Sequence, residues 1–361
     1  ITPIPRASFG NPRSPPVAPH CNDLLMEPAS PKASESNRAI LKFREQLARQ
    51  TAGDLPADKE PITISIDTPP VEAFTYLSRQ GIRACPVLNN DNSIAGTLDL
   101  RDSCGLICHL YSESLGADQA KPALERQGSM NILKPSDADI SEVAKRRPFV
   151  TFPASATLVE VATALATGSH IVGIMGGAEA HRGLSRVVTQ GILLGFIAPE
   201  FESVHMPVKA CMSQPVVSML VTEPALKGFE LMASRAVSCI AVVDEDQDGR
   251  VVFNMSATDA RTFFGSAERD PITDLGMEVG DFIVEKQLQA SSNKTRAPIT
   301  VCTENDDLHA VVTKLVKTRY HRIWVVRDTK PVGLLSLTDV FKNLMIPDDA
   351  LEGGTGDCSI L

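Results

Sequence analysis

The sequence predicts an α+β fold made of four copies of one strand–helix–strand–strand–helix unit. Three observations carry that reading. Length is the first: 361 residues exceed one ordinary core and suit two domains or a repeat array. Internal repetition is the second. The pattern of "PITVCTENDDLHAVVTKLVKTRYHRIWVVRDTKPVGLLSLTDVFKNLM" (298–345) recurs over residues 61–110, 148–198 and 215–265. The third is periodicity. Leu308, Val311, Val312 and Leu315 fall at i, i+3, i+4 and i+7, one helical face, and the short runs Ile323–Val326 and Val332–Leu335 that follow are β-rich.

Taken in order, residues 1–56 read as a Pro- and Ser-rich tail, disordered over 1–35. A short amphipathic helix follows over 36–50, whose Ile40, Phe43 and Leu47 share a face that docks on the repeats. Repeat one occupies 57–112, repeat two 148–202, repeat three 206–266 and repeat four 297–346. The segments between them, 113–147 and 267–296, are poor in periodic apolar residues and read as linkers or insertions. Residues 347–361 form a flexible acidic tail. In each repeat a turn bearing Thr68, Ser155, Thr222 or Thr303 is expected to cap the first helix.

Composition excludes several function classes. The formal net charge of -9 gives no global attraction for nucleic acid or anionic lipid, so an anionic ligand needs local Arg or His groups. No apolar run approaches the ~18 residues of a membrane helix. The N-terminus lacks both a signal-type apolar segment and an initiator Met, and reads as trimmed or as part of a longer chain. The eight cysteines form no C-x-x-C pair; Cys104 and Cys108 lie one helical turn apart, with no answering pair at zinc-like spacing. They are expected to be reduced, packed thiols of an intracellular protein. His20, His109, His181, His205 and His309 are scattered, and no metal site is expected. No G-x-x-x-x-G-K-[ST], G-x-S-x-G or H-E-x-x-H motif occurs, so the chain reads as no enzyme and requires no cofactor.

Three stretches carry a family resemblance. "QGIRACPVLN", "AVSCIAVVDEDQDGRVV" and "HRIWVV…PVGLLSLTDV" resemble CBS domains, in the four-copy form of the gamma subunit of AMP-activated protein kinase and its fungal and plant relatives. The resemblance covers residues 57–345 and implies two tandem CBS (Bateman) modules stacked into a disc with clefts facing its centre. It implies AMP, ADP or ATP as ligands, and kinase catalytic and scaffold subunits as partners in a heterotrimer-like assembly.

The clefts lie where a strand ends at a helix start. Free backbone N–H groups and the positive end of the helix dipole favour phosphate there, and hydroxyls and a carboxylate can hold a sugar. "S-L-T-D" (Ser336 to Asp339) is such a junction; "D-L-R-D" (Asp99 to Asp102) and "S-A-T-D" (Ser256 to Asp259) repeat it. Each is equally readable as a plain helix N-cap. The resemblance assigns Asp102, Asp259 and Asp339 to ribose, Arg83, His321 and Arg322 to phosphate, and Ser256, Ser336 and Thr338 to hydroxyl contacts. Gly333 is expected to keep a side chain out of the cleft. Repeat two departs from the pattern: Ile192 stands where the Asp belongs, and Ser169-His170 and Gln190-Gly191 replace basic residues. In repeat one, Asp99 stands where a Thr hydroxyl is expected, which would repel phosphate. Repeat four is therefore the expected nucleotide cleft, with repeat three next.

The last four residues, Cys358-Ser-Ile-Leu361, fit a C-a-a-X prenylation box, although the acidic residues before it supply no second membrane signal. A cytoplasmic location is expected, with the nucleus as the alternative and membrane association only if Cys358 is prenylated. Two other readings stay open. One is a CBS-repeat scaffold that regulates a kinase or phosphatase without sensing nucleotide. The other is a free-standing binder of an adenosyl ligand such as S-adenosylmethionine. Fold alone does not choose among them.

Overall fold

A computed structural model describes residues 31–56, 60–115, 133–176, 183–265, 271–289 and 299–346. Cys358 and the rest of the C-terminal tail lie outside them. An N-terminal helix, α1 (Pro31–Leu47), precedes the repeats and starts five residues earlier than periodicity alone indicates. Ile40, Phe43 and Leu47 are buried, and the Phe43 ring meets Phe201 edge-on at 5.8 Å.

Repeat one contains β1 (Ile64–Ser65), α2 (Pro70–Gln80), β2 (Ala84–Leu88), β3 (Ile94–Asp99) and α3 (Ser103–Ser114). A short linker helix, α4 (Ser141–Lys145), leads to repeat two, which has β4 (Thr151–Pro153), α5 (Leu158–Ala166), β5 (Ile171–Met175), β6 (Leu184–Thr189) and α6 (Gln190–Ile197). Repeat three comprises β7 (Ser218–Leu220), α7 (Ala225–Ser234), β8 (Cys239–Asp244), β9 (Arg250–Ser256) and α8 (Ala260–Gly265). Two further helices, α9 (Pro271–Leu275) and α10 (Val279–Gln289), connect it to repeat four. That last unit is β10 (Val301–Thr303), α11 (Leu308–Thr318), β11 (Arg322–Arg327), β12 (Lys330–Ser336) and α12 (Leu337–Met345).

The second linker, read from sequence as a linker or insertion poor in periodic apolar residues, carries two helices. Val279, Phe282 and Ile283 sit at i, i+3 and i+4 and are buried, a helical face too short to stand out from its polar neighbours. The expected caps also move. The first helices of repeats one and three begin behind Pro69 and Pro224, those of repeats two and four behind Thr157 and Asp307. Thr303 lies too far upstream to cap; its hydroxyl and amide donate instead to Asp306, at 2.7 and 2.9 Å, and close the turn.

Among the described residues every sheet has three strands with the repeat's second strand central, parallel to the first and antiparallel to the third. One register recurs at the functional end: Ala84 pairs Asp99, Ile171 pairs Thr189, Cys239 pairs Ser256 and Arg322 pairs Ser336. The residue just before each central strand then accepts a hydrogen bond from the residue that follows the third strand. Leu100 N donates to Arg83 O, Gln190 N to His170 O, Ala257 N to Ser238 O and Leu337 N to His321 O. Arg83, His170, Ser238 and His321 are therefore equivalent positions.

The helices bury their apolar faces across the modules. Repeats one and three share one core, in which Phe74, Leu77, Leu106 and Ile107 meet Phe229, Met255 and Phe264. Repeats two and four share the other with α1, joining Val161, Leu165 and Leu194 to Val312, Leu315, Phe341 and Leu344. Sheets meet within a module: Cys239, Ala241 and Val251 of repeat three pack on Trp324 of repeat four. Repeats one and two are joined by the segment before β1, where Ala52 N and Gly53 N donate to Ala156 O and Ala154 O, both at 2.8 Å.

Gly333 has a different task from the expected one. A Cβ there would sit 2.5 Å from Met212 Sδ, so the missing side chain makes room for the segment entering repeat three. That segment is tied to β12 by Ser213 N donating to Leu334 O at 2.8 Å.

Candidate functional site

The junction carboxylates are all engaged within the chain. Asp339 Oδ2 accepts from the Ser336 amide and hydroxyl at 2.7 and 2.6 Å, a capping box, and Oδ1 accepts from the Ser213 hydroxyl at 2.5 Å. Asp259 accepts from the Ser256 amide at 2.8 Å and from Lys286 of α10. Asp102 accepts from the Asp99 amide at 3.2 Å and from Arg147 of the first linker. The cap reading therefore holds as geometry in three repeats, and each carboxylate also takes a second partner from a distant segment. The hydroxyls follow suit: Ser256 Oγ lies 2.7 Å from Thr258 Oγ1, and Thr338 Oγ1 accepts from Gln190 Nε2 of repeat two at 2.9 Å. Repeat two has no acid at its junction, and Thr189 caps α6 by accepting from Ile192 N at 3.1 Å.

His321 and Arg322, expected side by side in one cleft, are separated by the alternation of a strand. Arg322 crosses to repeat three and donates to Ser238 O and Oγ, at 3.0 and 3.3 Å. His321 faces a cavity of about 840 Å³ between repeats two and four. Thr189 and Gly191 line it at the start of α6, together with Arg186, Arg319 and Tyr320. Arg319 ends α11 with a left-handed backbone, φ +55°, a conformation that glycine fills most easily. Sequence reasoning missed Arg186 and Arg319, because neither lies in a junction motif. They restore to the repeat-two cavity the positive charge that its own junction lost.

The sharpest electrostatic feature lies around Arg83. Its guanidinium is 3.7 Å from the Asp99 carboxylate, which Arg101 approaches from the other side at 3.4 Å. Asp99 is buried, yet the two guanidiniums outweigh burial and hold its carboxyl well below the usual carboxylate range. The expected repulsion of phosphate by Asp99 is thus cancelled. Burial, with Arg322 and Arg101 adding to it, lowers Arg83 to about 10, and Asp99 pulls the other way. Among the described residues, Arg83 Nε and Nη2 and Arg101 Nε are buried N–H groups without a hydrogen-bond partner. Two guanidiniums thus converge on a single carboxylate with donors unmet while a third, Arg322, adds its charge beside Arg83, and an anion is the natural complement.

His170 belongs to the same group and stays neutral. Burial first, then Arg83 and Arg101, lower it to about 3, against the weaker pull of Asp99 and a Gln190 contact at 3.3 Å. The sign follows: the unfolded chain takes up a proton below about pH 6.5 and the folded one does not, so stability falls as pH drops towards 3. Acidifying from pH 7 to 5 is expected to cost about 1–2 kcal/mol through this group. His170→Gln should remove that part of the slope in denaturant titrations; an unchanged slope would clear His170 of the effect.

The six described cysteines are buried thiols. Cys108 Sγ donates to Cys104 O at 3.1 Å, the i to i+4 reach of a helical side chain. No described helix is long and apolar enough to cross a membrane.

Comparison with known proteins agrees with this geometry. Residues 52–102 and 294–346 match the model of the CBS domain family. The chain carries CBS domains. All four repeats share one topology and are arranged as tandem modules, and the two stretches that match the family model fall at the first and the last of them. The 5'-AMP-activated protein kinase subunit gamma of Saccharomyces cerevisiae is 22% identical over 325 residues, covering 86% of this chain and 95% of that protein. Protein SDS23 of Pyricularia oryzae is 23% identical over 358 residues, 91% of this chain but 65% of that longer protein. Among solved structures, protein MJ1225 of Methanocaldococcus jannaschii superimposes with a TM-score of 0.59 at 16% identity. It covers 79% of this chain and 96% of its own, which fixes the fold of the CBS repeats.

Proposed function

We propose that this chain is a non-catalytic regulatory subunit that binds AMP, ADP or ATP between its CBS repeats and passes the state of that ligand to a Ser/Thr protein kinase. The single observation that carries the ligand class is the set of unmet, buried guanidinium donors of Arg83 and Arg101 beside Arg322, in a chain of net charge -9. The likeness to the yeast kinase gamma subunit, spanning nearly all of that protein, supports the kinase partner. Phosphate oxygens complete the guanidiniums, and the junction carboxylates retain acceptor capacity for a ribose hydroxyl. Regulation then requires that different nucleotides favour different states of the assembly, since tight binding alone shifts nothing.

Calorimetric titration of the full chain tests this. AMP and ATP are expected to bind in the micromolar range, and Arg83→Ala to weaken both by about tenfold or more, the loss of one charged hydrogen-bond set. Asp339→Ala should weaken them similarly if Ser213 yields its place to ribose. S-adenosylmethionine, which lacks phosphate, should bind far less tightly. No heat from AMP at millimolar concentration would sink the nucleotide reading. A second reading, a CBS scaffold for a kinase or phosphatase that senses no nucleotide, draws support from the pairing of Asp102 with Arg147 and Asp259 with Lys286. Pull-down of a kinase catalytic chain, with and without AMP, separates the two.

A further inference from the structure

We infer that His205, Asp307 and His309 form a binding site for a divalent transition-metal ion of the zinc class. One ligand atom from each lies within 4.8 Å of the others. His205 Nδ1 is 2.8 Å from Asp307 Oδ2, and the two imidazole rings stand edge to face at 5.5 Å. Two imidazole nitrogens and one carboxylate oxygen suit zinc, nickel or cobalt far better than magnesium or calcium, which prefer all-oxygen shells. Ligand atoms around one zinc lie about 3.4 Å apart, from bond lengths of about 2.1 Å.

Backbone structure holds the three ligands in place before any ion arrives. His205 lies in the segment between repeats two and three, and Asp307 and His309 begin α11 of repeat four. The two segments are stitched by Leu308 N donating to Met206 O at 2.8 Å and Val208 N to Asp306 O at 3.0 Å. Ser36 of α1 donates to His205 O at 2.8 Å, and the His309 ring lies tilted beside Phe201 at 6.2 Å. Asp307 occupies the N-cap of α11 yet makes no side-chain cap, so its carboxylate forgoes the usual use of an Asp there and turns to His205. With three protein ligands the ion keeps open positions for water or for a partner's side chain. It would clasp the junction of the two modules to repeat four.

Sequence alone expects no metal here, because His205 stands a hundred residues from its partners. Zn2+ titrated into the full chain against a chromogenic chelator is expected to reveal one equivalent bound in a class that His205→Ala weakens at least tenfold. His309→Gln should do the same, and Zn2+ should raise the melting temperature of the parent chain but not of the double variant. His205 is 62% exposed, so His205→Ala is the variant that leaves the fold intact. Co2+ should give visible absorption bands lost in the same variants. A zinc affinity within twofold of the parent in both variants would reassign binding to another site, such as the thiols, and overturn the inference. Absence of zinc binding would reduce the cluster to a histidine–carboxylate hydrogen bond with the same consequence.

Discussion

Asp99→Asn is expected to destabilise the fold by about 3–5 kcal/mol at pH 7, although the two side chains have the same shape. The amide oxygen can still accept from Arg101 N, as Asp99 Oδ1 does at 2.8 Å, so the local turn survives. What disappears is the negative charge between Arg83 and Arg101, leaving the two largely shielded guanidiniums without their shared counter-ion and Arg83 still beside Arg322. The pH dependence has a definite sign. A carboxyl held well below its ordinary range stabilises fully above about pH 4, and that contribution is lost as pH falls through and below that value. Denaturant midpoints of parent and variant should therefore differ at pH 7 and converge towards pH 2. If the centre is a phosphate site, inorganic phosphate or ATP should restore the variant by more degrees of melting temperature than it adds to the parent. An unchanged midpoint at pH 7 would show that Asp99 is not the counter-ion.

Gly96→Val should cost about 3 kcal/mol or more, through overpacking against main chain that cannot rotate away. A Cβ at Gly96 would lie 1.9 Å from Ala144 O and 2.6 Å from its carbonyl carbon. The linker that carries α4 would have to lift off β3, breaking the 2.9 Å hydrogen bond from Thr97 N to Arg147 O and pulling the Arg147 guanidinium from Asp102. Thermal unfolding and protease cleavage after Lys145 or Arg146 would both report the change. If neither moved, the docking of this linker would be incidental.

Much of this was readable from sequence because it is periodic and local. Four repeats, the strand-to-helix junctions and their Asp-for-Ile exchange at Ile192 all follow from spacing within about fifty residues. The hidden part is whatever distant segments supply. Arg147 and Lys286 come from stretches that looked featureless, yet they occupy the carboxylates of repeats one and three. Arg319 restores charge to repeat two from across the molecule, and His205 finds Asp307 and His309 only after folding. Adjacent residues misled in the opposite way: His321 and Arg322 read as one motif, but a strand sends them to different repeats.

The two larger hydrophobic cores among the described residues carry one last implication. Because repeat one packs on repeat three and repeat two on repeat four, neither half of the chain owns a complete interior. A protease nick between the halves should leave two fragments that copurify, and either fragment made by itself should aggregate.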